Sequence, residues 1–328
     1  MRARPGRTAC GSPRTTLEPT LSQHGSMKAA AASVTSSLTS LNINREGPAG
    51  FSHHLLTDII QSLQLMEVTM PYIITNITEK IGTITLDDQR RRNALSAPLV
   101  KELIAALASF REANVRVVIL RAREGSKVFS AGHNVVELPE SRRDPLGWDD
   151  PLCQLVREIE NFPSPVIAMI EGSVWGGATE TVFACDFIVA TETATFAITP
   201  AKLGVPYNVG GMLTLLNATG LRMAKEMTFT GRPIDAVRAE HHGMINYVVP
   251  AAEIEAFTLQ LATQMAENAP LSVAVMKEQL RILAGAHTMS PQGFERVQGL
   301  RRIVYDSYDY QEGIRAFKEK RKPVFLGE

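Results

Sequence analysis

From Tyr72 onward the chain alternates short apolar runs with stretches of helical periodicity. YIITNIT (72–78) and KIGTITL (80–86) mix apolar and β-branched residues around a short turn, which predicts a pair of strands. Leu99, Leu103, Leu107 and Phe110 then recur at helical spacing, with Ser96 standing where an N-cap would stand. VRVVIL (115–120) is almost continuously apolar, the pattern of a strand buried on both faces. The unit recurs as a helix near 151–161, a strand PVIAMI (165–170), a glycine turn, a helix over 177–184 and a strand FIVAT (187–191). From about residue 208 the pattern is largely helical. Parallel β/α units followed by helices predict a layered α/β core with a helical C-terminal region.

Residues 1–69 break with this pattern. They hold a single aromatic residue, Phe51, and their first 45 positions carry one acid, Glu18, against Arg2, Arg4, Arg7, Arg14, Lys28 and Arg45. So little apolar surface cannot offset the entropy of ordering, so mostly disordered chain is expected, with one short amphipathic helix over 55–66. Arg-rich, Ser-rich, acid-poor composition is that of an organelle transit peptide. The other reading is an over-called start with translation beginning at Met70, and the abrupt onset of patterned sequence after Met70 favours it.

Charge narrows the function classes. Lys and Arg total 34 and Asp and Glu total 34, so the formal charge is zero, which argues against a general nucleic-acid or polyanion binder. Three cysteines, Cys10, Cys153 and Cys185, are too few and too scattered for a disulfide framework or a zinc cluster. No run of about 18 apolar residues is present. A soluble cytoplasmic protein is expected, or one of the mitochondrial matrix if residues 1–69 are a transit peptide.

Two small-residue turns follow apolar strands, where open α/β sheets usually place their ligands. One is Ser130-Ala131-Gly132-His133-Asn134; the other runs from Glu171 through Gly176, Gly177 and Ala178 into a helix. Glycine lets backbone approach a ligand, and a helix start leaves N–H groups unpaired, so one N–H from each turn would make an oxyanion hole. The plainer reading of each turn is ordinary βα geometry. In Thr199-Pro200-Ala201-Lys202-Leu203-Gly204-Val205-Pro206-Tyr207-Asn208, Tyr207 is either a half-buried core residue or a hydroxyl donor to a bound carboxylate. The basic cluster Lys318–Lys322 is either a solvated helix end, favourable to the dipole, or a phosphate grip. No P-loop, G-x-G-x-x-G, H-E-x-x-H or G-x-S-x-G is present.

In register, S-A-G-H (130–133), E-G-x-x-x-G-G-A-x-E (171–180), T-G-x-P-I (230–234) and A-F-x-E-K-R-K-P (316–323) resemble the crotonase, or enoyl-CoA hydratase/isomerase, superfamily over residues 71–326. GSKVFSAGH (125–133), RDPL (143–146), EGSVWGGA (171–178), TPAKLGVPYN (199–208) and VYDSYDYQEG (304–313) are similar to the subgroup that decarboxylates methylmalonyl-CoA. The resemblance implies an α/β fold: a ββα spiral core over 70–265 and a helical C-terminal trimerisation region over 266–328, assembling as a homotrimer or dimer of trimers.

It also implies roles. Backbone N–H groups of His133 and Gly177 would hold the thioester oxygen. Ala131, Gly132, His133, Asn134 and Val135 would cradle the CoA arm, with Arg92, Ala94 and Leu95 at its adenosine end. Phe317 and Lys320 match a C-terminal CoA-binding pair that in relatives can reach a neighbouring subunit's ligand. Tyr207, with Thr199, would contact the substrate carboxylate, inside an apolar surround of Val174, Trp175 and Val205.

Hydratases of this superfamily handle water with two glutamates. Glu180 stands at the first position and Pro200, which carries no proton-transferring group, at the second. Taken alone, Glu180 reads as an acid in a helix's first turn, favourable to the dipole. A second departure is Asn134, where relatives commonly have Asp. The implied reaction is decarboxylation of methylmalonyl-CoA to propionyl-CoA and CO₂ through a stabilised thioester enolate. Coenzyme A is then part of the substrate, with no metal or biotin. Two alternatives stay open: an enoyl-CoA hydratase or isomerase, and a non-catalytic binder of CoA esters.

Overall fold

In the computed structural model, which describes residues 71–140 and 143–328, the two expected N-terminal strands pair antiparallel. β1 (Ile73–Thr78) lies on β2 (Ile81–Leu86), with Ile73 opposite Leu86. The expected disorder of 1–69 and the helix at 55–66 lie outside the described residues. β2 is followed in the sheet by parallel strands β3 (Val117–Ala122), β5 (Val166–Ile170), β7 (Phe187–Thr191) and β10 (Tyr247–Val249), giving the order β1-β2-β3-β5-β7-β10.

A second sheet, unforeseen in the sequence, is made of β4 (Val128–Ser130), β6 (Ser173–Trp175), β8 (Thr195–Ala197) and β9 (Ile234–Asp235). The chain alternates between the two sheets. β3 and β4 are followed by α2 (Pro151–Glu160), β5 and β6 by α3 (Gly177–Phe183), and β7 and β8 by α4 (Val209–Thr230). This is a ββα spiral. β4 and β6 pair in parallel, Val128 with Ser173 and Ser130 with Val174, so the turns that leave them emerge side by side.

β3 explains why the two layers hold. Val118 and Leu120 join one apolar cluster, with Leu99, Leu103 and Leu107 of α1 (Ala97–Glu112). Val117 and Ile119 point to the other face, where they meet a cluster containing Ile254 and Ala262 of α6 (Ile254–Ala266). Each such buried aliphatic contributes on the order of 1.5–3 kcal/mol, so the doubly apolar strand is fixed in register by both faces.

Two local expectations are corrected. Ser96 occupies the N-cap of α1, but its fully buried hydroxyl makes no capping bond; the Ala97 N–H donates instead to Oε2 of Glu137 at 2.8 Å. The helix expected near 209–219 runs on as α4 to Thr230, broken at Gly220 by φ 69° and ψ 162°.

After α5 (Ala236–His241) and α6, the C-terminal region holds α7 (Pro270–Ala284), α8 (Pro291–Tyr305) and α9 (Tyr308–Lys318). α7 buries none of its residues and α8 only Arg301, whereas α9 returns to the core, where Tyr310 donates its hydroxyl to the Pro139 carbonyl at 2.7 Å. Lys277 pins α7 to the spiral: its Nζ lies 2.7 Å from Asp186 Oδ2 and 3.2 Å from the Ile159 and Ser164 carbonyls. Among the described residues no helix is long and apolar enough to cross a membrane.

Candidate active site

The turns after β4 and β6 are pressed together by glycine. Gly132 has φ 86°, and a methyl group there would collide with the Trp175 carbonyl oxygen. Gly176 has φ 54° and ψ −121°, a backbone region closed to L side chains. A methyl on Gly132 would sit 3.1 Å from the Gly177 nitrogen, and one on Gly177 3.4 Å from the His133 nitrogen. The two amides therefore border one small space. Among the described residues neither donates to a protein group. Gly177 opens α3, where the aligned peptide dipoles add positive potential. Two such N–H groups can donate to one oxygen that is gaining negative charge.

The segment Arg92–Leu95 runs beside the first turn. Ala131 N–H donates to the Arg92 carbonyl (2.9 Å), Leu95 N–H to the Gly132 carbonyl (2.8 Å) and the Ser130 hydroxyl to the Asn93 carbonyl (2.6 Å). Arg92 itself is exposed in a left-handed conformation at φ 53°. It borders a cleft of about 440 Å³ with Gln89, Arg123 and Lys127, two cations the sequence reading did not single out. The Leu95 side chain is buried in the main core, and its backbone faces the turn. Ala131 is exposed, while Asn134 and Val135 are half-buried. Asn134 Oδ1 caps the short 3-10 turn that follows, and its Nδ2 donates to Glu137 Oε1 at 2.8 Å. An aspartate could not make that second bond, so the departure at 134 has a local purpose.

Glu180, in the first turn of α3, is 3% exposed. The Tyr207 hydroxyl donates to its Oε2 at 2.6 Å. Burial pushes the Glu180 carboxyl up to about 7, against the lowering effect of that bond. Burial and the Glu180 charge hold the Tyr207 phenol well above its ordinary value, so it remains a donor at any physiological pH. Gly211 is the seat of the pair: a methyl there would come within 2.5 Å of Tyr207 Cε1 and 2.7 Å of Glu180 Oε1. Glu180 is thus more than a dipole-stabilised acid, because it is buried and hydrogen-bonded to the tyrosine expected to act. It also borders a cavity of about 800 Å³ lined by Phe183, Leu213 and Leu280 among others.

Thr199 is half-buried, its Oγ1 3.2 Å from where a Gly176 side chain would begin, which puts it beside the second turn. Pro200 opens a 3-10 turn over Pro200–Leu203. Of the expected apolar surround, Val174 is wholly within the core and Val205 nearly so, and Trp175 is half-buried with its indole N–H on Ser173 Oγ at 2.9 Å. Cys153 lies close by; burial pushes its thiol up to about 12, and Asn208 Nδ2 donates to its sulfur at 3.2 Å. Phe317 lies exposed in the last turn of α9 and Lys320 exposed in the turn beyond it, and among the described residues no hydrogen bond joins them to the 131–135 turn. No group of three or more His, Cys, Asp or Glu side chains among the described residues is placed to hold a metal ion.

Gly211 and Asp150 went unnoticed in the sequence. Asp150 was legible as a helix start, since Asp-Pro opening a periodic run is an N-terminal signature, and it does cap α2. Its second contact, with the His133 ring, joins residues 17 apart and had no sequence signal.

Residues 76–328 match the family model described as enoyl-CoA hydratase/isomerase. The chain is 51% identical over 260 residues to methylmalonyl-CoA decarboxylase of Escherichia coli (strain K12), covering 79% of this chain and 100% of that protein. Among solved structures it is similar to methylmalonyl-CoA decarboxylase complexed with 2S-carboxypropyl-CoA, at a TM-score of 0.78 and 50% identity over 79% of this chain and 100% of that one. A methylmalonyl-CoA decarboxylase in complex with 2-nitronate-propionyl-CoA is similar at a TM-score of 0.77 and 50% identity, over 78% of this chain and 99% of that one.

Proposed function

The chain belongs to the enoyl-CoA hydratase/isomerase family, and from that premise we propose that it decarboxylates methylmalonyl-CoA to propionyl-CoA and CO₂. One observation carries the reading. Two free amides share a small space, and the nearby phenol Tyr207 has a single carboxylate, Glu180, against it, with Pro200 where a hydratase keeps its second glutamate.

Decarboxylation needs no base, because the electrons come from the breaking bond. The Cα–carboxylate bond cleaves, its electron pair enters the thioester as an enolate, and CO₂ departs. The His133 and Gly177 amides meet the negative oxygen; losing one donor in comparable sites costs about 10²–10³ in rate, roughly 2.7–4 kcal/mol. The carboxylate must also be held out of the thioester plane, so that the breaking bond overlaps the carbonyl π system. A Tyr207 hydroxyl turned from Glu180 to a carboxylate oxygen supplies that orientation, with Thr199 beside it. A proton then adds to Cα and completes propionyl-CoA.

The CoA arm is assigned to the 131–135 turn and the Arg92 cleft, and Phe317 and Lys320 to a neighbouring subunit's ligand. A trimer or dimer of trimers belongs to the same proposal. It is supported by α7 and α8, which expose Leu271, Leu280, Leu283, Leu300 and Ile303, each more than half accessible.

Turnover in D₂O tests the chemistry. Loss of CO₂ with one solvent deuterium at Cα of the propionyl product is expected; consumption of substrate without CO₂ would overturn the proposal.

A further inference from the structure

The first turn of α2 touches both residues whose amides border the small space. Asp150 caps that turn, its Oδ1 accepting the Leu152 N–H at 2.9 Å, while its Oδ2 lies 3.1 Å from His133 Nε2. Two residues on, Leu152 packs on the other donor, with its Cδ2 2.6 Å from where a Gly177 side chain would begin. One helical turn thus holds His133 through its ring and Gly177 through van der Waals contact. The other ring nitrogen of His133, Nδ1, faces the Asn134 carbonyl at 3.2 Å. Both ring partners are acceptors, and an imidazole satisfies two acceptors only when both nitrogens carry hydrogen.

We propose that the first turn of α2 sets the spacing of the oxyanion hole, with Asp150 as a positioning residue that acts through a His133 imidazolium. The ring is nearly buried and its charge opposes that burial, yet the Asp150 carboxylate, the Asn134 carbonyl and Glu137 carry its pKa above the ordinary histidine value. The charged groups facing it are Asp150 from α2, Glu137 from the 3-10 turn and Glu180 from α3. The sign follows: below its raised pKa the ring is charged, bonded on both sides and holds the turn. Above it, one of the two bonds is lost and the His133 amide is free to shift.

This rests on the oxyanion reading given above, and the test separates the two. Asp150→Ser keeps an equally good helix cap but is too short to reach His133 Nε2, so only the ion pair's own share of the stability should be lost. Its kcat on methylmalonyl-CoA should fall about 10-fold to 100-fold with KM changed far less, as misplacement of a donor predicts. His133→Gln should fall by a similar factor. Nitrogen-15 spectra of the parent should show His133 protonated on both nitrogens at pH 7, and those of Asp150→Ser should show a neutral ring. In a Glu180→Gln background, which removes the other group that titrates near neutrality, the alkaline fall of kcat should move to lower pH when Asp150 is replaced. A neutral His133 at pH 7 in the parent would overturn the inference, as would unchanged kcat in Asp150→Ser or a kcat loss explained by unfolding of the variant at the assay temperature. No turnover by the parent protein sinks the decarboxylase reading instead, and leaves the ring's charge state still measurable.

Discussion

Tyr207 gives its hydroxyl hydrogen to Oε2 of Glu180 across 2.6 Å, and Gly211 leaves just enough room for both. A phenol held this way is already aimed at a carboxylate before any substrate arrives. A substrate carboxylate that takes over the bond must settle beside Glu180, and two negative carboxylates at one phenol repel. Glu180, with its pKa pushed up to about 7, can meet that demand by staying protonated.

Tyr207→Phe should lower kcat by on the order of 10²-fold while KM for methylmalonyl-CoA changes little, since orientation rather than affinity is lost. Steady-state kinetics on the purified variant check this. Unchanged turnover would remove the tyrosine from the reaction.

Glu180 gives a pH prediction. Its folded-state pKa is about 7, above the ordinary 4.5, so its contribution to stability is fully present below about 4.5 and is lost as pH rises through 7. Glu180→Gln, which cannot ionise, should therefore unfold at a higher temperature than the parent at pH 8. The gain is of the order of 3 kcal/mol or less, and little difference should remain at pH 4.5. Thermal melts at the two pH values decide it.

Gly176→Ala should cost on the order of 1–3 kcal/mol in stability, because φ 54° with ψ −121° strains any side chain. It should also lower kcat by about 10²–10³, because the Gly177 amide moves with the turn. Denaturant melts and kinetics on one preparation separate the two effects.

Leu283→Asp combined with Ile303→Asp puts charge on the two exposed apolar helices α7 and α8. If those faces meet other subunits, the double variant should sediment as a monomer while the parent sediments as a trimer or larger. Identical sedimentation would point to another interface.

The sequence disclosed the long elements and hid the short ones. β3 was readable because four buried positions in a row, Val117–Leu120, leave a near-continuous apolar run. β4, β6 and β8 have three residues each, too few for a period of two to register, and β6 lay inside the segment read as the second glycine turn. The second sheet was missed for that reason, although it is what brings Gly132 and Gly177 together. Gly132, His133 and Gly177 were legible as candidates because their motifs carry the unusual residues such turns require. The contacts of Glu180 with Tyr207 and of His133 with Asp150 were not, since each joins separate elements whose approach only the folded spiral fixes.

Mass spectrometry of CoA esters tests the central claim most directly, with pure protein incubated separately with methylmalonyl-CoA and with crotonyl-CoA. Propionyl-CoA from the first and no hydration of the second is the expected result. Hydration of crotonyl-CoA without propionyl-CoA would contradict it, and would mean that another group in the site does the work of the glutamate that Pro200 replaces.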